Sequence, residues 1–191
     1  MKKLIVVAHP NSHGFAHRIA ETFVRVSESC GHSVRMVNLY DSQHLQWYLQ
    51  LDDHNKQIAD DKVTWMQEQI SRADQLVFVY PIWWYDAPAI LKNWFDVNMS
   101  SGFAYRYRKN SLIPYQYLRG KTARFFVTAG APSWLWYTPI GRWIFINMII
   151  GRLGFVGIWT KSFTMFGNMG KYRDKHHREK FLRKVEKIAK R

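Results

Sequence analysis

Residues 79–96 read Val-Tyr-Pro-Ile-Trp-Trp-Tyr-Asp-Ala-Pro-Ala-Ile-Leu-Lys-Asn-Trp-Phe-Asp, and no other stretch narrows the fold as much. They continue an apolar run that begins at Leu76, pass through aromatics bracketed by Pro81 and Pro88, and resume with helical spacing at Ile90, Leu91, Trp94 and Phe95. The order is strand, stiff loop, helix. In an open α/β sheet, ligands bind in the loops that follow the carboxyl ends of the strands, so a loop rich in flat side chains predicts a flat, aromatic ligand. Burial of Trp83 and Trp84 in a core accounts for the same composition, because large aromatics are highly buried on average.

The rest of the chain supplies partners for that strand. Lys3-Leu4-Ile5-Val6-Val7-Ala8 is an apolar, β-branched run suited to a parallel strand covered on both faces. The turn-forming His9-Pro10-Asn11-Ser12-His13-Gly14 leads into a helix with Phe15, Ile19, Phe23 and Val26 on one stripe. Strand, loop and helix N-terminus together make an anion site, because the first backbone N–H groups are unpaired and the helix dipole favours negative charge. A phosphate held there would draw further donors from Ser12, His13 or His17. Gly31 stops the helix, residues 33–39 form a second strand, a helix over residues 62–72 delivers the chain to the strand at 74–80, and further strands are expected at 123–128 and 156–163. Thr128-Ala129-Gly130-Ala131-Pro132 ends the fourth strand in small residues that let a backbone approach a ligand. Residues 41–61 are polar with scattered aromatics and carry no readable period. Five strand–helix alternations predict a doubly wound α/β fold with a five-stranded parallel sheet in the order 2-1-3-4-5, in which the loops after the first and third strands lie side by side. At 191 residues, one domain spanning 1–191 suffices.

The run Pro81-Ile82-Trp83-Trp84-Tyr85, followed by Pro88-Ala89-Ile90-Leu91-Lys92 and then Trp94-Phe95-Asp96, resembles the loop of the flavodoxin-like NAD(P)H:quinone oxidoreductase family whose backbone holds the flavin ring. The resemblance spans most of residues 1–163. His9 and Phe15 match the family's strand-ending His and the Phe at the start of its first helix, while Gly14 and Ala16 stand where Ser and Asn are usual and leave more of the phosphate grip to backbone amides. Asn38-Leu39-Tyr40 is similar to the family's Asp-Leu-Tyr. Gly102-Phe103-Ala104-Tyr105-Arg106-Tyr107 resembles the segment whose two tyrosines line the pocket where nicotinamide and quinone stack in turn. Thr128-Ala129-Gly130-Ala131 stands for Thr-Thr-Gly-Gly, the loop against the polar edge of the flavin. Counting back from Gly151-Arg152-Leu153-Gly154-Phe155-Val156-Gly157, which is similar to Gly-x-Leu-x-Phe-Cys-Gly, Tyr137 and Thr138 fall where the family carries a Tyr and a His that stabilise charge on the reduced flavin. That relay lacks its histidine.

The resemblance implies FMN or FAD as cofactor and NADPH or NADH as co-substrate. Hydride passes to flavin N5 and two electrons then pass to a quinone, in a pocket at a homodimer interface for which the apolar residues 134–150 would be suited. The alternative is a flavin-bearing regulatory subunit with weak turnover, similar to the quinone-reductase-like ancillary proteins of bacterial potassium efflux systems.

Charge selects the broader setting. A formal net charge of +14 and a pI near 10.0 attract polyanions: nucleotide cofactors, nucleic acid or an anionic membrane surface. Residues 171–191 hold ten Lys or Arg against three acids, with Phe181, Leu182, Val185 and Ile188 along one face, which describes a closing helix with a solvated basic face, ahead of the alternative of peripheral contact with an anionic membrane. No helix-turn-helix, zinc-ligand spacing or RNP-like motif accompanies the charge, so no specific nucleic-acid partner is expected. Residues 134–150 are broken by Pro139, Gly141 and Arg142 and fall short of the roughly 18 apolar residues of a spanning helix. A lone Cys30 and an N-terminus that runs directly into a strand predict a reducing, cytoplasmic location, peripheral at most to the inner membrane face.

Overall fold

The computed structural model of the chain describes residues 1–54, 56–170 and 174–191, so the first three residues of the basic C-terminal segment, 171–173, lie outside the described residues. Seven strands run β1 (Lys2–Val7), β2 (Ser33–Asn38), β3 (Gln75–Pro81), β4 (Tyr105–Arg108), β5 (Ser111–Gln116), β6 (Thr122–Thr128) and β7 (Trp159–Phe166). Five helices, α1 (Phe15–Ser29), α2 (Asp61–Arg72), α3 (Ala89–Asn98), α4 (Pro139–Ile146) and α5 (Lys175–Ala189), connect or close them. The main sheet is parallel, ordered β2-β1-β3-β6-β7, which is the 2-1-3-4-5 order of a flavodoxin-like fold.

The central strands are apolar throughout because both of their faces are covered. Leu4, Val6, Phe78, Tyr80, Phe125 and Val127 point to one side and pack with α2 and α3 through Met66, Ile70, Leu91 and Trp94. Ile5, Val7, Val77, Val79 and Phe126 point to the other and pack with α1 and α5 through Ile19, Phe23, Phe181 and Val185. Fully burying each of these side chains stabilises the fold by about 1.5–3 kcal/mol, so the α1 stripe read from the sequence is what fixes that helix on the sheet. Register brings the ligand-facing ends level: Val7 lies opposite Val79, and Pro81 opposite Thr128.

Two elements depart from expectation. The fifth strand runs Trp159–Phe166 rather than 156–163, because the preceding helix continues through Val156 before Gly157 turns it. At φ +91 Gly157 takes a conformation that L side chains rarely adopt, and the N–H of Ile158 returns to the carbonyl of Leu153 at 2.9 Å. Second, residues 105–116 form the antiparallel hairpin β4–β5 outside the main sheet. Residues 41–54 and 56–60, in the segment whose sequence carries no period, are largely irregular and are tied to α3 by amide side chains, Gln46 with Asn98 at 2.8 and 3.0 Å and Gln57 with the Val97 carbonyl at 2.9 Å. Residues 134–150 fall into a 3₁₀ turn, α4, and the start of a stretch at Asn147–Gly154 with i→i+5 bonding. Among the described residues no helix is long and apolar enough to cross a membrane.

Candidate functional site

Three loops meet at the carboxyl ends of β1, β3 and β6. Their spacing is fixed by backbone bonds that prolong the sheet: the N–H of Ala8 donates to the Val79 carbonyl at 2.9 Å, that of Ile82 to the Thr128 carbonyl at 2.8 Å, and that of Ala129 to the Phe166 carbonyl at 2.9 Å.

The first loop is tight and polar. The N–H of Asn11 donates to His9 Nδ1 at 3.1 Å, the N–H of His13 to Asn11 Oδ1 at 3.0 Å, and the N–H of Gly14 to the Asn11 carbonyl at 3.0 Å. Burial holds the His9 imidazole below its ordinary pKa, and the Asn11 donor leaves Nε2 to carry the proton of the neutral ring. His17 is buried with Nε2 3.1 Å from the His9 carbonyl, so its ring ties the loop to the helix. Phe15 is likewise a core residue, packed on Phe166 and Phe181, and with buried Ala16 it can offer a ligand only its backbone. Ser12 and His13 are exposed. Where α2 and α5 begin with Asp60 and Asp174 as side-chain caps, α1 begins at Gly14 with none and with no acid in its first turn. A helix start without a side-chain cap or a nearby acid is suited to an anion.

The second loop is strained. Trp83 and Asp86 exchange backbone hydrogen bonds at 2.9 and 3.0 Å, closing a two-residue turn in which Trp84 has φ 49 and Tyr85 φ 60. Two consecutive aromatics in the left-handed region cost about 1–2 kcal/mol each, and such strain collects at ligand clamps. Pro81 is buried, Ile82 is partly buried and Trp83 is exposed, and the Trp83 ring lies 6.2 Å from that of His9, which joins the first two loops. Tyr85 packs at 5.9 Å on Trp136, a buried ring that the sequence did not single out. In the third loop Thr128 and Ala129 are buried, Ala131 is partly buried, and a Cβ at exposed Gly130 would meet nothing within 4 Å, so the space beside it is open.

The remaining predicted residues stand in two other places. Tyr137 is exposed, whereas the Thr138 hydroxyl is committed to capping α4, donating to the Leu135 carbonyl at 2.6 Å and accepting from the Gly141 N–H at 3.4 Å. Tyr105 packs edge-on against Tyr107 at 5.3 Å and against Phe155 at 4.9 Å, and burial raises the Tyr105 phenol pKa. Among the described residues none of these three rings pairs with Trp83, Trp84 or Tyr85 in the same chain. Tyr105 lines a groove of about 710 Å³ together with Leu49, Leu51, Phe95 and Met99. A second, more apolar groove of about 430 Å³ lies between Tyr40, Trp47, Tyr48, Lys62 and Ile90. Among the described residues no group of His, Cys, Asp or Glu is arranged to hold a metal ion.

A parallel sheet in this order, with an anion cradle after β1 and an aromatic loop after β3, defines a flavodoxin-like α/β protein. The family model described by its flavodoxin-like fold matches residues 1–189, and the chain belongs to that family. It is 31% identical over 180 residues to an uncharacterized NAD(P)H oxidoreductase of Haemophilus influenzae, covering 92% of this chain and 88% of that one. It is 34% identical over 128 residues to a glutathione-regulated potassium-efflux system ancillary protein of an Enterobacter species, covering 66% of this chain and 60% of the relative. The solved NAD(P)H:quinone oxidoreductase of Methanothermobacter marburgensis superposes with a TM-score of 0.78 at 28% identity over all of this chain and 96% of that one.

Proposed function

We propose that the chain is a flavin-dependent NAD(P)H:quinone oxidoreductase that works as a single flavodoxin-like domain in a homodimer. The observation that carries this reading is the turn at Trp83–Asp86, which holds two aromatics in a strained conformation with Trp84 99% exposed, where no burial repays the cost. A ligand surface explains such a turn and core packing does not.

The residues fit a flavin. Its phosphates suit the uncapped start of α1, with the backbone N–H groups of Phe15 and Ala16 and the side chains of Ser12 and His13 as donors, while His9 and Gly14, whose own N–H is given to the Asn11 carbonyl, shape the loop. Its ring suits the backbone of Pro81, Ile82, Trp83, Trp84 and Tyr85, and its polar edge the loop Thr128, Ala129, Gly130 and Ala131. When bound, FMN or FAD supplies the two-electron chemistry between NADPH or NADH and a quinone. The protein's own work is to bind, orient and dry the reacting faces. Tyr137 offers a free hydroxyl to negative charge developing at the ring edge, and Thr138 offers none because its proton is given to Leu135. Tyr105 and Tyr107, clustered with Phe155 away from the turn of their own chain, would complete the stacking pocket of a second copy. The exposed Trp143, Ile146 and Ile150 provide apolar area for such an association.

The test is direct. The purified protein should show the visible spectrum of oxidised flavin, alone or after addition of FMN or FAD, and chromatography of the released cofactor should say which. Failure to bind either flavin below about 10 µM, roughly 7 kcal/mol, removes the oxidoreductase reading.

One observation favours a second reading. Similarity to the efflux ancillary protein and the exposed cations Lys180, Arg183, Lys184 and Lys187 of α5 suit a flavin-bearing regulatory subunit resting on the cytoplasmic face of an anionic membrane. Weak turnover together with sedimentation on anionic liposomes that disappears when the exposed Lys180, Arg183, Lys184 and Lys187 are replaced by Gln, with α5 left in the core, would select it.

A further inference from the structure

Arg152 and Asp86 are 66 residues apart in sequence and form a two-point ion pair, Nη2 to Oδ2 at 3.0 Å and Nη1 to Oδ1 at 3.3 Å. The arginine side chain is only 12% exposed and its guanidinium lies 5.7 Å over the Phe95 ring, so its direction is fixed by packing and not by the carboxylate alone. Asp86 is the closing residue of the strained turn. Its carboxylate also accepts the N–H of Ala87 at 2.6 Å, which fixes the side chain against its own backbone. Among the described residues the buried Tyr80 hydroxyl has no hydrogen-bond partner, and Arg152 and Asp86 are the charges that act on it. Arg152 itself sits in the i→i+5 stretch Asn147–Gly154, a rare form of helix that is frequent at functional sites.

We infer that Arg152 is a positioning residue: it grips Asp86 from a separate element and thereby holds the turn Trp83–Asp86 in its strained, ligand-facing form. Without that strut the two backbone bonds between Trp83 and Asp86, the Ala87 N–H on the Asp86 carboxylate and the contact of Tyr85 with Trp136 are left to oppose relaxation, while Trp84, wholly in solvent, adds no packing. Its consequence for affinity rests on the flavin reading of the site. A loosened turn must be ordered again at each binding event, which weakens flavin binding without touching a group that contacts the phosphates.

The experiment compares the unsubstituted protein with Arg152→Gln, Arg152→Lys, Asp86→Asn and the Asp86→Asn/Arg152→Gln double variant. Each is labelled with 5-fluorotryptophan, and the Trp84 fluorine line is assigned by its loss in Trp84→Phe. Arg152→Gln should broaden or shift that line in the flavin-free protein and weaken FMN binding about tenfold, with Arg152→Lys intermediate because it keeps the charge and loses the fork. The double variant should lose no more affinity than either single one, the signature of two groups acting as a unit. An unchanged fluorine line overturns the strut whatever the flavin affinity does, and a broadened line with unchanged affinity overturns its positioning role. If the unsubstituted protein binds no flavin and the line still broadens, the strut stands and it is the flavin reading that falls.

Discussion

Trp84 is 99% exposed, whereas Trp94, ten residues further on in the same motif, is 1% exposed and packed edge-on against Phe78 at 5.5 Å. The two tryptophans do different work, and substitution separates them. Trp84→Asn removes almost no buried area and places at φ 49 a residue that tolerates the left-handed region, so its stability should hold or rise by about 0.5–1 kcal/mol while FMN affinity falls at least about tenfold. Trp94→Ala empties a core position and should cost about 3–5 kcal/mol. Denaturant midpoints set beside flavin dissociation constants measure both. A Trp84 variant that unfolds as early as the Trp94 one would return the aromatic loop to the core.

Gly14 marks the tightest point of the first loop. A Cβ there would come within 2.9 Å of the Asn11 carbonyl and 3.3 Å of the His9 ring, although φ at −75 is ordinary, so space and not backbone conformation demands glycine. Gly14→Ala should push the loop off its hydrogen bonds at a cost of about 1–2 kcal/mol. It should weaken FMN more than it weakens riboflavin, which lacks the phosphate. Equal losses for the two ligands would place the phosphate elsewhere.

The parts of this fold that could be read in the sequence are those set by apolar period: the buried run of β1, the α1 stripe through Phe15, Ile19 and Phe23, and the passage from β3 into α3. Residues 41–61 left no such trace, because what fixes the irregular part of the segment is a set of polar amides, Gln46 on Asn98 and Asn93 on the carbonyls of Gln46 and Trp47 at 3.2 Å. The fifth strand slid by three residues because a glycine C-cap and a β-branched strand start look alike along one chain. In the site, the loops were legible as motifs and their supports were not. Asp86 is not among the residues that carry the motif's resemblance, and its partner Arg152 and the Trp136 beside Tyr85 become visible only when distant segments meet.

Lys3 predicts a pH dependence of stability. Its ammonium is buried, held by Ser27 Oγ at 3.1 Å and the Ala189 carbonyl at 2.9 Å and packed over the Phe23 ring, with no carboxylate among these partners. Burial, and then the charge of Arg124, lowers its pKa to about 8. The folded protein therefore releases this proton near pH 8 while the unfolded chain keeps it to about pH 10.4, so stability rises with pH between those values, by roughly 1–3 kcal/mol. Above pH 10 the sign reverses, since burial pushes the Tyr80 phenol up and the unfolded chain loses that proton first. Urea unfolding from pH 7 to 10.5 should show the rise, and Lys3→Met should flatten it. A rise that persists in Lys3→Met would assign it to another group.

The basic surface around the hairpin offers the last prediction. Arg106, Arg108 and Lys109 are exposed, and Arg108 stacks over the Tyr115 ring at 4.1 Å, so two of the three charges are free to act at a distance and the third is held in a fixed place. If they draw NADPH toward the pocket built around Tyr105 and Tyr107, kcat/KM for NADPH should fall steeply with salt, and that for NADH, which lacks the 2′-phosphate, should fall less. Replacing Arg106, Arg108 and Lys109 by Gln should flatten the NADPH dependence and leave the NADH dependence nearly unchanged. The substitutions lie on exposed strand and turn positions, so unfolding midpoints should move little. Equal salt slopes for the two nucleotides, surviving the triple substitution, would show that steering does not come from the hairpin. The excess charge would then be serving a surface elsewhere on the molecule, with the exposed cations of α5 the next to neutralise.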